Sequence, residues 1–249
     1  VLRAIGTGPI FAEKYGSNPP RVIFLHGWGR SGRDFGDVAV ALAKQGVSSL
    51  ALDLPGFGSS PLPAIAGGAA LYAELVEAVI ALETSEPVVV VGHSFGGRVA
   101  VVLATSPTAK ISGLVLTGVP LLRLGPVSRG PLAYRIIRRL GRVGLISSQQ
   151  WERARQKYGS RDYRNASGLL RDILVTTVNE SYETQLAELR VPVALVWGAL
   201  DQDVPLEVAT RAMDSLPAST SLVVLGAVGH LVPTESPGSL VVAVDEMLQ

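Results

Sequence analysis

Cysteine is absent from the 249 residues, which excludes disulfides, thiolate metal sites and a cysteine nucleophile. Histidine is nearly as scarce, with only His26, His93 and His230. Three cannot easily build a metal cluster, and no metal or cofactor is expected. The same scarcity nearly identifies any general base by elimination. Charged residues make up only 17% of the chain against 47% hydrophobic, which argues against disorder. No apolar run approaches the roughly 18 residues of a membrane span; the stretch from Val99 to Ala104 is typical. No charged-then-apolar leader follows Val1, so a cytoplasmic location is expected. The missing initiator methionine suggests a trimmed start, with or without a removed leader.

A length of 249 residues suits a single α/β domain with a large core. The segments 1–5 and 10–15 read as an opening hairpin around Gly6-Thr-Gly-Pro9. Strands are predicted at 21–25, 47–52, 87–91, 111–117, 191–197 and 221–225. Helices are predicted at 34–44, 69–82, 96–105, 206–215 and 239–248, with apolar stripes such as Leu71, Leu75, Val79 and Leu82. Strands without polar alternation are covered on both faces, and the helices between them impose parallel order. The fold class is therefore a doubly wound α/β sheet. Residues 1–118 and 187–249 form its core, and 119–186 is a helical insertion without a convincing strand, placed as a cap over the strand ends where open α/β sheets bind ligands.

Gly92-His-Ser-Phe-Gly-Gly97 carries Gly-x-Ser-x-Gly between a strand and a helix. That turn is tight and strained, and it presents the Ser94 hydroxyl at a helix N-terminus, where developing negative charge is favoured. A serine needs a base within hydrogen-bond reach. His93 should point away from the hydroxyl and His26 should brace the glycine loop, so both read as structural imidazoles. His230 lies past the last strand in Gly229-His-Leu-Val-Pro233 and is the candidate base. Trp197-Gly-Ala-Leu-Asp-Gln-Asp-Val-Pro205 offers two acids to orient it: Asp201 is the first choice and Asp203 the alternative. His26-Gly-Trp-Gly29 ends another strand, and its Trp28 N–H with the Phe95 N–H would form an oxyanion hole. Asp53, in its own tight turn, reads as structural.

Taken together and in this order, His-Gly-Trp-Gly, Asp53-Leu-Pro-Gly-Phe-Gly-x-Ser, Gly-His-Ser-x-Gly-Gly, Gly-x-x-Asp-x-x-Val-Pro and the late Gly-His resemble the α/β-hydrolase superfamily. The resemblance spans the chain outside the insertion. It implies nucleophile, acid and base roles for Ser94, Asp201 and His230, and oxyanion roles for Trp28 and Phe95. Serine at 94, where dehalogenases and epoxide hydrolases of that superfamily carry aspartate, points away from their chemistry. The glycine loops are similar to those of biotin-pathway methyl ester esterases, in which cap arginines meet an acidic acyl carrier protein. Ser94-Phe-Gly-Gly-Arg98 is similar to the menaquinone-pathway lyases, and that likeness implies a substrate carboxylate on Arg98.

The formal net charge of +1 hides an asymmetry. Between Arg123 and Asp172 twelve Lys and Arg face three acids, Glu152, Asp162 and Asp172, about +9, which leaves about −8 for the rest. Arg138 and Arg142 are thus candidate contacts for an anionic or carrier-bound substrate; the alternative is a solvated helix surface with packed stems. Nucleic acid is not expected, because no stacking aromatics are interleaved with the basic residues. The expected partner is a small-molecule ester; oligomeric state stays open. The expected reaction is carboxylic ester cleavage through an acyl-enzyme. A carbon–carbon hydrolase or lyase using the same residues is the rival enzyme reading, and a non-catalytic ligand receptor the third.

Overall fold

The computed structural model describes residues 2–5, 10–124 and 161–249, with positions 147, 149 and 153 between them. Its eight strands are β1 (Leu2–Ile5), β2 (Ile10–Tyr15), β3 (Val22–Leu25), β4 (Ser49–Asp53), β5 (Val88–His93), β6 (Ile111–Thr117), β7 (Val193–Gly198) and β8 (Ser221–Leu225). They form one sheet in the order β1-β2-β4-β3-β5-β6-β7-β8. β1 pairs β2, and β2 pairs β4, antiparallel; every later pairing is parallel. The sheet is mixed and mostly parallel, as the helix–strand alternation requires from β3 onward. The hairpin adds the antiparallel edge.

The helices are α1 (Gly36–Lys44), α2 (Ala69–Glu83), α3 (Phe95–Leu103), α4 (Arg161–Asn165), α5 (Gly168–Asn179), α6 (Glu183–Glu188), α7 (Leu206–Ala212), α8 (Val232–Glu235) and α9 (Pro237–Leu248). The predicted helix at 34–44 divides into a 3₁₀ turn, Gly32–Phe35, and α1; that at 206–215 ends as a 3₁₀ turn, Met213–Ser215. α4, α5 and α6 lie between β6 and β7 in the chain. None of the described helices is long and apolar enough to cross a membrane.

Alternate residues of each central strand feed opposite layers, as the period of two demands. Ile23, Leu25, Val88, Val90, Leu114, Leu116, Leu195 and Trp197 pack into one layer with residues of α2, α3 and α7. Val22, Phe24, Val89, Val91, Val115 and Val196 pack into the other with residues of α1 and α9. Among the described residues, Trp197 is the largest side chain wholly removed from solvent. Its indole N–H donates to Val204 O at 2.9 Å, so this core residue also pins the loop that leaves β7. Burying a ring of this size contributes on the order of 3–5 kcal/mol relative to alanine. Strand ends β3, β5 and β7 all point to the same edge of the sheet, and the site assembles there.

Candidate active site

β5 runs two residues further than its apolar stretch suggests, to His93, and α3 begins at Phe95. Ser94 alone forms the turn. With φ of 49° it is the one non-glycine residue in the left-handed region among those described, a conformation that costs roughly 1–3 kcal/mol and persists only where the surroundings impose it. They do so here. The Ser94 N–H donates to Thr117 O of β6 at 3.0 Å, and the Gly96 N–H donates to His26 O at the end of β3 at 3.0 Å. Side chains at Gly92, Gly96 or Gly97 would collide with Gly97, with Leu25 and His26 carbonyl oxygens, or with Val119. The serine that results is half-buried and opens onto a cavity of about 800 Å³.

His230 lines the same cavity. Its Nδ1 lies 2.8 Å from Asp201 Oδ2, in an ion-pair geometry whose carboxylate side chain is only 1% exposed. The second carboxylate oxygen, Oδ1, accepts the Asp203 N–H at 2.9 Å and the Val204 N–H at 2.8 Å. The acid therefore cannot rotate without losing two bonds. Asp203, the alternative acid, is exposed, and its own N–H serves to hold Asp201. The backbone around the base is fixed from α8: Glu235 accepts the N–H groups of Gly229 at 2.7 Å and Leu231 at 3.1 Å, the residues either side of His230. Sequence reasoning missed Glu235, although an acid five residues after a loop histidine and inside a short helix was the available signal. It also passed over Gly118. With φ of +58°, Gly118 lies so close that a Cβ there would stand 2.8 Å from His230 Cε1. A glycine directly after a predicted strand was its mark.

Trp28 and Phe95 flank Ser94 from the β3 loop and from the first residue of α3, and their rings meet edge to face at 5.4 Å. Among the described residues, neither backbone N–H is seen to donate a hydrogen bond. The other two histidines are occupied. His26 is fully buried; its Nε2 accepts the Leu54 N–H at 3.0 Å, so its Nδ1 carries the proton toward Gly27 O at 2.7 Å. Burial lowers its pKa. His93 is also buried, with Nδ1 3.2 Å from Thr117 O; burial first, and the proximity of His230 second, push its pKa down to about 3. Asp53 accepts the Gly32 N–H at 2.8 Å and the Ser59 N–H at 2.7 Å. It ties two loops together.

The cavity wall combines Trp28, Phe57, Leu170, Val204 and Leu231 with Arg30, Asp162, Asn165 and Asp203. Arg30 is held by both carboxylate oxygens of Asp34. Arg98 is not in this wall. Its guanidinium donates to Thr177 O on α5 and lies 5.8 Å from the Tyr182 ring centroid, so the structure engages it with the insertion and not with the cavity where a substrate carboxylate was expected to sit. Arg123 grips the same helix end through Val178 O and Glu180 O, each at 3.2 Å. Cations at a helix C-terminus complete its unpaired carbonyls. Arg138 and Arg142 lie outside the described residues.

Residues 22–244 match a family model described as the alpha/beta hydrolase family. The uncharacterized hydrolase YugF of Bacillus subtilis is 28% identical over 92% of this chain and 90% of its own length. A pimeloyl-[acyl-carrier protein] methyl ester esterase of Edwardsiella ictaluri is also 28% identical, over 88% of this chain and 89% of that protein. Among solved structures, an esterase from Exiguobacterium antarcticum superposes with a TM-score of 0.75 at 19% identity, covering 99% of each chain. At that identity the likeness is one of fold.

Proposed function

The chain belongs to the alpha/beta hydrolase family, and we propose that it is a carboxylic ester hydrolase working through an acyl-enzyme on Ser94. One observation carries this reading: a strained serine and a histidine held by a buried carboxylate at 2.8 Å open onto a single cavity. In the proposed reaction Ser94 Oγ attacks the ester carbonyl carbon while its proton passes to His230 Nε2. The oxyanion forms toward the Trp28 and Phe95 N–H groups, where preorganised donors act without reorganisation. Collapse breaks the ester C–O bond, and the leaving alkoxide takes the proton from His230. Water, deprotonated by the same histidine, then attacks the acyl-enzyme and releases the acid and free Ser94. Asp201 holds the Nδ1–H tautomer and stabilises the imidazolium that forms twice per cycle.

The wall supports an uncharged acyl group. Trp28, Phe57 and Leu170 form an apolar side toward β3 and β4, and the carboxylate of Asp203 stands toward β7. The one described cation of the wall, Arg30, is neutralised by Asp34. The division into a core, 1–118 and 187–249, and a cap, 119–186, belongs to the same proposal; Asp162, Asn165, Ala166 and Leu170 supply the part of the cap that meets the cavity. A panel of p-nitrophenyl esters of increasing acyl length tests the reading. Turnover of short and medium chains by the wild type, and its loss in Ser94→Ala by up to about a millionfold with an unchanged melting temperature, is the expected result. Retention of most of that activity by Ser94→Ala on several esters would overturn the covalent route.

A further inference from the structure

His93 satisfies its one donor on Thr117 O, which would be the whole role of a structural imidazole. Its ring nonetheless makes two further contacts, and both are with the machinery proposed above. On one side stands Gly27, at the start of the loop that carries the Trp28 N–H. A Cβ at Gly27 would lie 2.9 Å from His93 Cδ2 and 3.2 Å from its Nε2. On the other side the His230 ring centroid is 4.8 Å away, with the planes inclined at 54°. The Cβ that Gly118 lacks would lie 3.3 Å from His93 Cε1, so the ring is bounded there as well. Thr117 O only accepts, so Nδ1 carries the proton and the ring is neutral, in keeping with its 1% exposure. The groups that face it are His230, the Thr117 carbonyl and the Gly27 backbone, with Arg30 and Asp201 acting at longer range.

We propose that His93 is a positioning residue whose ring sets the separation between the oxyanion loop at Gly27 and the base His230. A close-packed interior transmits such a spacing, because it leaves no slack for either neighbour to drift. The ring is rigid and anchored at Nδ1, so it fixes both sides from one point. Its neutrality matters too: a second cation at this distance would oppose the imidazolium that His230 becomes during turnover. Misplacement by about 1 Å in such an arrangement lowers rates by on the order of a hundredfold. The purpose assigned to the spacing rests on the ester-hydrolase reading.

Two substitutions separate spacing from hydrogen bonding. His93→Ala deletes the whole ring, and with it the atoms that meet Gly27 and His230, together with the donor. His93→Phe keeps a ring and deletes only the donor, so the two variants differ in the ring alone. Gly27→Ala collides with His93 in the wild type, and it gains room once His93→Ala has removed the ring, so the two are also combined in a double variant. The rate of Ser94 phosphonylation by a fluorophosphonate is measured for each, alongside the His230 Nδ1–H resonance and a melting curve. His93→Ala and Gly27→Ala should each slow labelling about tenfold to a hundredfold, and the double variant should retain clearly more than the product of the two losses. His93→Phe should lose stability while labelling within about threefold of wild type. Multiplicative losses, or a His93→Ala rate equal to wild type, would overturn the proposal. If His93→Ala does not fold, Gly27→Ala and His93→Phe decide by the same rates. If the wild type itself is not labelled, the ester reading fails; the His230 resonance then decides, since a positioning role requires it to shift in His93→Ala and stay in place in His93→Phe.

Discussion

Asp201→Asn is the perturbation whose outcome the geometry constrains most tightly. The carboxylate gives Oδ1 to the N–H groups of Asp203 and Val204 and Oδ2 to His230 Nδ1. An amide at this position must therefore keep its oxygen on the two N–H donors and turn its NH₂ toward His230. The opposite orientation forfeits two hydrogen bonds, roughly 1 kcal/mol each, and is populated at only about a few per cent. Facing an NH₂ donor, His230 must give up its Nδ1 proton and carry it on Nε2, where it can no longer receive the proton of Ser94. The imidazolium also loses its buried counter-charge. Together these should lower kcat by about 10⁴, or roughly 5 kcal/mol of barrier. The shape of the site is kept, so the melting temperature should move little. Steady-state kinetics on a p-nitrophenyl ester give the loss, and ¹⁵N NMR of His230 gives the tautomer. Asp203→Asn is the control and should stay within about threefold, since its carboxylate is exposed. A loss under tenfold for Asp201→Asn, or the reverse ranking of the two acids, would refute the reasoning.

Acidification should destabilise the fold through its buried histidines. His26 and His93 are neutral in the folded chain, with His93 pushed down to about 3, while the unfolded chain titrates near the ordinary 6.5. For His93 the unfolded state binds more protons between these values, so stability falls as pH falls through the window, by up to about 1.4 kcal/mol per pH unit, and His26 acts in the same direction; urea midpoints at pH 4.5, 5.5 and 7.5 check it, and a midpoint independent of pH would contradict the burial. Glu235→Gln retains the shape but pairs only one of the two N–H groups beside His230, so kcat should drop about tenfold with KM and melting temperature nearly unchanged; equal shifts in all three would make Glu235 a stability residue only. Arg98→Met should lower the melting temperature by roughly 3–8 °C by releasing the C-terminal end of α5, and should change KM for neutral and anionic esters alike. A selective rise in KM for anionic esters would return Arg98 to a substrate carboxylate.

What was legible in the sequence is what local chemistry dictates. The elbow at Ser94 could be read because Gly92, Gly96 and Gly97 surround one serine between an apolar strand run and a helical pattern, and the strands from 21–25 onward because unbroken apolar runs need cover on both faces. The exchange of β3 and β4 in the sheet could not be read in this way, because their register depends on a crossover and not on composition. Local pattern also assigns no partner. Asp201 differs from Asp203 only through two backbone N–H groups that turn its carboxylate inward. Likewise His93 reads from the sequence as a buried imidazole, but its contacts with Gly27 and His230 come from three different strand ends meeting at one edge. Arg98 likewise carries a motif spacing from Ser94 that suits a substrate contact, while its bond to Thr177 O and its place over the Tyr182 ring come from the packing of α5, which no local pattern encodes.

The central claim is a covalent acyl group on Ser94, and mass spectrometry of the acid-quenched enzyme tests it most directly. Wild type mixed with a p-nitrophenyl ester and quenched within the first turnover should gain the mass of one acyl group. Peptide mapping should place that group on Ser94, and Ser94→Ala should gain none. Rapid ester turnover with no added mass at any quench time, or an acyl group carried by another residue, would contradict it.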